Sequence, residues 1–339
     1  MSRMIRFHRF GGADVLQLEE VPTPRPAAGE VLIRSEAIGV SWEDVLWRQN
    51  LAAEQAKLPA GIGSEVAGVV EAVGDEVEDL EIGARVATFK AHTPNRYPAY
   101  GDHVLMPREA VTTYPASNNF TAAEAAVHYT PLLSAYFALA NLAGLRSGQT
   151  VLVTEAGRCI GGAMVQMAKA LGAHVVAATR NAEPHDLLLK LGADKVVLTE
   201  EQDLSLAVGS YTHTKGVEVV VDGCGGNQMA LLGDVAAPCG KLILYGLDGG
   251  NEAAFPAWAA FRKHLQFHRF SLLDFTGHAE LGIKPNWPAV TTALKEINQM
   301  TAQGLLRPII DRKFAFADFV EAHRHIEAFP HLGRVVLEI

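Results

Sequence analysis

Residues 151–181 read VLVTEAGRCIGGAMVQMAKALGAHVVAATRN. An apolar run leads into a turn of small residues. A helical stripe of Ala163, Met164, Met167, Ala168 and Leu171 follows, then a second apolar run, HVVAAT. Both runs are continuous rather than alternating, the pattern of parallel strands covered on both faces, and a strand, turn, helix and strand in succession make a βαβ unit. The turn places the start of a helix, with its unpaired N–H groups, where a phosphate is commonly held. Yet Glu155, Arg158 and Cys159 stand where such a turn usually carries glycine.

The same texture continues outward. KVVLT (195–199), VEVVVDG (217–223), KLILYG (241–246) and LQFHRF (265–270) alternate with helical patterns, completing a six-stranded, doubly wound sheet of Rossmann type with TVLVT (150–154) and HVVAAT (174–179). Before residue 122, short stretches such as EVLIRSEAIGV and SEVAGVVEAVG sit between Gly and Pro signals and read as a small, mostly β domain. After Phe270, NWPAVTTALKEINQMTAQG and FAFADFVEAHRHIEAF read as helices and GRVVLEI as a closing strand returning to that domain. The expected division is 1–122 with 272–339 for the β domain and 123–271 for the Rossmann domain, with a small ligand in the cleft between them.

The chain has 339 residues, room for two domains, and a formal net charge of -9 with no Lys/Arg-rich run. That balance speaks against nucleic-acid and anionic-membrane partners. No apolar run approaches a membrane span, and the N-terminus has no apolar core of a signal peptide. Three cysteines without a C-x-x-C pattern fit a reducing, cytoplasmic setting, and three thiols are too few for an all-cysteine zinc site. The close pairs His264/His268 and His323/His325 read as solvated or locally bonded histidines.

GEVLIRSEAIGVSWEDVLWR, GSEVAGVVEAVGDEVEDLEIGARVA, GQTVLVTEAGRCIGGAMVQMAKALGA, GKLILYG and the closing GRVVLEI occur in order with normal spacing. Together they resemble the medium-chain dehydrogenase/reductase superfamily, and within it the zinc-independent quinone oxidoreductases and enoyl reductases. The resemblance spans nearly the whole chain. It implies a GroES-like β domain, a Rossmann domain, a nicotinamide cofactor and a homodimer. In zinc-bound members a Cys, a His-Glu pair and a second Cys or Asp hold the metal; here the matching positions are Ser41, Ser64-Glu65 and Thr130. Neutral hydroxyls are poor zinc ligands, so the expected chemistry needs no metal, and Glu65 is expected to be a structural acid.

In the register of these relatives Ala156 and Gly161 are kept and Ile160 replaces Val, while Glu155, Gly157, Arg158 and Cys159 depart. Arg158 either contacts a phosphate or extends into solvent, and a Glu155–Arg158 pair would offset the carboxylate. NAD-specific domains place an acid at the end of the second strand to bond the ribose 2′-OH; here Thr179 and Arg180 stand there, which points to the 2′-phosphate of NADP(H). The resemblance further places Cys224 in DGCGG, Tyr245 and Gly246 in LYG, Phe270, Ser271 and Leu272 in RFSLL, and Arg334 of the closing strand among the cofactor contacts.

The expected reaction is hydride transfer from NADPH to a conjugated carbonyl compound (a quinone, enone or enoyl substrate), needing only a donor to polarise the oxygen and a proton. Candidate donors are Ser41, Tyr97, Tyr129 and Thr130, with Trp42 and Tyr100 as further lining residues. Two other readings share this fold: a trans-acting enoyl reductase serving a biosynthetic pathway, and a cofactor-binding protein with little turnover.

Overall fold

A computed structural model describes residues 1–114, 120–158, 160–247, 249–328 and 332–339. The chain divides into two units. The first comprises Met1–Thr130, Leu273–Ala302 and Arg307–Ile339, the second Pro131–Leu272 and Gln303–Leu306.

The second unit is built on six strands, β1 (Thr150–Val153), β2 (His174–Thr179), β3 (Lys195–Leu198), β4 (Val217–Asp222), β5 (Ala236–Leu244) and β6 (Gln266–Arg269). They pair in parallel in the order β3-β2-β1-β4-β5-β6. Val151, Leu152 and Val153 are all buried, as are Val219, Val220 and Val221. Consecutive strand residues point to opposite faces, so both faces of the sheet are covered, as the unbroken apolar runs require. The helix Gly161–Ala170 packs on β1 and β2. The strand order reverses between β1 and β4. Ligands of such sheets bind beyond the carboxyl ends of the strands at that reversal. β5 begins at Ala236, ahead of the expected Lys241, and a register shift against β4 accompanies Cys239 at φ +59°. An irregular start of this kind, reading APCG, carries no strand signature in the sequence.

The first unit is mostly β. Its larger sheet runs Ile310–Ala315, Arg334–Glu338, Glu30–Val40, Glu65–Val73, Arg85–Thr88 and Val111–Thr113, with His103–Pro107 also pairing to Glu30–Val40. A smaller sheet joins Leu16–Val21, Ser2–Phe7 and Ala60–Gly61. Ile5, Phe7, Ile33, Ile38, Val66 and Leu337 share its core. The C-terminal strand returns as the sequence implies, with Val335 opposite Val40 and Leu337 opposite Ile38. That return brings Arg334 beside the end of Glu30–Val40, just ahead of Ser41. Among the described residues no helix is long and apolar enough to cross a membrane.

Candidate active site

The turn after β1 holds its residues in a tight, charged arrangement. Gly161 opens the helix against the backbone of Ala156: a Cβ there would lie 2.6 Å from the Ala156 carbonyl oxygen, so only glycine fits without a shift. Gly157 is equally confined, since a Cβ would meet Thr179 Oγ1 at 2.6 Å and Pro184 Cγ at 2.5 Å. One departure from the glycine-rich pattern therefore adds a glycine that lets the turn lie directly on Thr179. Thr179 is buried beneath it. Ile160 precedes the helix as its N-cap, with no side-chain cap. Cys159 lies outside the described residues.

Glu155 occupies the left-handed region at φ +47° and is buried, 8 % exposed. A non-glycine residue there is strained by roughly 1–2 kcal/mol, so its ion pairs must offset the cost. Arg180 Nε donates to Glu155 Oε1 at 3.0 Å, whereas Arg158 Nη1 stands 3.9 Å from Oε2. The expected Glu155–Arg158 pair is thus the looser of two, and the main counter-ion is Arg180. The reason is tertiary: β1 and β2 are neighbours, so the residue ending β2 reaches the turn that ends β1. The Arg180 side chain is nearly half exposed.

The carboxyl end of β4 is fixed by Asp222. Its carboxylate accepts from Thr154 Oγ1 and from the backbone N–H groups of Cys224 and Gly225, at 3.1 and 3.0 Å. Burial raises the Asp222 carboxyl above its ordinary value against the pull of these donors. Tyr245 N donates to the Asp222 carbonyl, and the Tyr245 ring closes over Gly223. Gly246 lies on the Gly223 backbone, and Phe270 N donates to the Leu244 carbonyl. Phe270 and Leu272 are buried, with Ser271 between them. Cys224 is buried too, and burial pushes its thiol up, as do the nearby Glu155 and Asp222 charges. Its behaviour is that of a small buried hydrophobe rather than a reactive thiolate.

In the first unit, Ser41 is the N-cap of the helix Trp42–Arg48. Ser41 Oγ accepts from Asp44 N, and Asp44 Oδ2 accepts from Ser41 N at 2.8 Å, a reciprocal capping box. Tyr100 Oη also donates to Asp44 Oδ2, at 3.1 Å. Burial lifts the Asp44 carboxyl to about 7; the Ser41 donors pull it down, and the Glu65 charge pushes it further up. Glu65 pairs with Arg334, as expected of a structural acid. Arg334, expected among the cofactor contacts, thus commits a guanidinium N–H to Glu65. Thr130 Oγ1 accepts from Lys90 N at 3.1 Å, and Lys90 Nζ is bonded to Glu43, in the first turn of the same helix as Ser41.

The tyrosines expected to give a proton are otherwise engaged. Tyr97 Oη donates to Glu30 at 2.9 Å, and burial with that bond raises the phenol to about 12. Tyr129 Oη donates to Asn298 at 2.8 Å, and burial raises it as well. Both are core residues whose polar ends found internal partners. Of the histidines, His325 is locally bonded to Asp311, as expected. His323 is not solvated: it is buried edge-on to Tyr100, and neither ring nitrogen has a partner among the described residues. Burial and the Arg48 charge lower it to about 3, so it is neutral. The sequence reading missed Asp44, Glu43, Lys90 and Asp222. The S-x-x-D spacing of Ser41 and Asp44 was a signal in plain view; the other three emerge only when distant segments meet.

Residues 27–116 match the family described as "Alcohol dehydrogenase GroES-like domain" and residues 159–291 that described as "Zinc-binding dehydrogenase". A quinone oxidoreductase of Pseudomonas aeruginosa is 29% identical over 338 residues, covering 99% of both chains. The synaptic vesicle membrane protein VAT-1 homolog of Rattus norvegicus is 29% identical over 97% of this chain and 82% of its own length. Among solved structures, the quinone oxidoreductase of Escherichia coli complexed with NADPH superposes with a TM-score of 0.85 at 26% identity, covering 100% of both chains. The six-strand order, the GroES-like match and these relatives agree: the chain belongs to the medium-chain dehydrogenase/reductase superfamily as a quinone oxidoreductase-like member.

Proposed function

We propose that the protein is an NADPH-dependent, zinc-independent reductase of conjugated carbonyl compounds, quinones, enones or enoyl derivatives. Arg180 carries the cofactor assignment: it directly follows β2, where an NAD-specific domain has an acid, and its side chain is nearly half exposed. The turn between β1 and the helix Gly161–Ala170 would hold the pyrophosphate, with Arg158 beside it and Gly161 permitting the approach. When bound, the dihydronicotinamide supplies a hydride. The protein's own part is to hold the acceptor, polarise its oxygen and furnish a proton.

The donor set does not suit zinc. Ser41 Oγ caps a helix, Thr130 Oγ1 accepts from the Lys90 backbone, and Glu65 is paired with Arg334. Hydroxyls in these roles compare poorly with thiolate and imidazole as zinc ligands. We further propose a homodimer, as the family resemblance implies, and a cytoplasmic setting. A screen of NADPH oxidation against quinones, enals and enoyl thioesters tests the assignment, with light scattering for the dimer. Cofactor binding without turnover of any acceptor would identify a binding protein instead.

A further inference from the structure

We propose that Lys90 Nζ is the donor to the acceptor's carbonyl oxygen, and that Glu43 is its positioning residue. This rests on the reading of the protein as a conjugated-carbonyl reductase. The backbone of Lys90 is fixed on both sides by side chains remote in sequence: its N–H donates to Thr130 Oγ1 at 3.1 Å, and its carbonyl accepts from Thr276 Oγ1 at 2.9 Å. Its ammonium is tethered to Glu43, two residues past Ser41. Lysine side chains ordinarily sweep through many rotamers, and an ordering of this kind costs free energy. Here it holds a positive charge against Glu43, in the first turn of the Ser41-capped helix, while the Lys90 backbone is bonded to Thr130; the family resemblance matches Ser41 and Thr130 to metal-holding positions of zinc-bound members.

The tyrosine hydroxyls are committed elsewhere. Tyr97, Tyr100 and Tyr129 donate their hydroxyl protons to Glu30, Asp44 and Asn298. Lys90 has three N–H groups; one goes to Glu43, and no other acceptor among the described residues takes the remaining two. The side chain is 23% exposed, so it is accessible. His92 does not compete as an acid, because burial and the Lys90 charge lower it to about 4 and keep it neutral.

The chemistry balances. A C–H bond forms at the conjugated carbon by hydride addition, with the dihydronicotinamide dinucleotide as the reductant. The displaced π pair moves to the carbonyl oxygen, giving an enolate that takes a proton from the Lys90 ammonium. The neutral amine then regains a proton from solvent. The charge that builds on oxygen is what a fixed ammonium stabilises.

The test uses 1,4-naphthoquinone as acceptor with the parent, Lys90→Met, Lys90→Arg and Glu43→Gln. Lys90→Met should lower kcat by about 100-fold with little change in KM, the size seen when one donor to a developing oxyanion is removed. Lys90→Arg should recover much of the loss, and Glu43→Gln should cost about tenfold by loosening the tether. NADPH affinity, titrated without acceptor, should be unchanged in all three. Turnover that survives in Lys90→Met overturns the proposal and leaves the function standing. Should Lys90→Met fail to fold, an unaltered kcat in Glu43→Gln overturns it equally. A parent that reduces no acceptor sinks the underlying reading itself.

Discussion

Arg180→Ala separates two roles that one side chain plays. In the structure Arg180 neutralises Glu155, which is buried, and the same guanidinium is the proposed ligand of the 2′-phosphate. Removing it takes away a charge-assisted contact to phosphate. Such a contact is worth about 1.5–3 kcal/mol at best, and near-half exposure with a shared carboxylate argues for about 1–2 kcal/mol, roughly five- to thirtyfold in NADPH affinity. It also leaves Glu155 with only the looser Arg158 contact at 3.9 Å. An under-paired buried carboxylate costs about 1–3 kcal/mol of stability, and Glu155 lies in the turn proposed to hold the pyrophosphate. The single variant should therefore lose NADPH affinity strongly, lose some NADH affinity and melt lower. Adding Glu155→Ala should restore stability and NADH binding but not the preference for NADPH. Calorimetric titration of both cofactors into the parent, the two single variants and the double variant yields the coupling energy directly. A double variant that keeps the parent's NADPH-to-NADH ratio would refute the assignment of Arg180 to the phosphate.

Three further outcomes are expected. Gly161→Val should abolish dinucleotide binding, because even a Cβ would lie 2.6 Å from the Ala156 carbonyl; normal calorimetric binding by a folded Gly161→Val protein would show the turn to be read in the wrong register. Asp44, raised by burial to about 7, should make stability fall as pH rises from about 4 to about 7, since over that window the folded chain keeps a proton the unfolded chain has released. The loss amounts to at most about 4 kcal/mol, and Asp44→Asn should flatten it in urea titrations across that range; equal pH slopes for the two proteins would falsify the account of this carboxyl. Elemental analysis of the purified protein should find no stoichiometric zinc, and a chelator should leave activity intact; zinc at one per chain with activity lost on chelation would overturn metal independence.

The Rossmann sheet was legible because its strands are buried on both faces, so runs such as Val219–Val220–Val221 stand out without any alternation to decode. The start of β5 was not, since APCG at a register shift obeys no strand pattern. In the turn, the demand for Gly161 followed from sequence register. The partner of Glu155 did not, because pairing with Arg180 needs the adjacency of β1 and β2 as well as a positive φ at a glutamate. Tyr97 and Tyr129 looked like donors while their neighbours were unknown; Glu30 and Asn298 lie far from them along the chain. Lys90 gave no signal of its own, for its meaning comes from Thr130, Thr276 and Glu43 together.

The central claim is reduction of a conjugated carbonyl at the expense of NADPH. Steady-state cofactor oxidation, measured with NADPH and with NADH against the same quinone in the presence of a chelator, tests it most directly. The account predicts acceptor-dependent oxidation with NADPH, at a kcat/KM about five- to thirtyfold above that for NADH, matching the affinity worked from Arg180. Oxidation that favours NADH, or that requires added zinc, would contradict it.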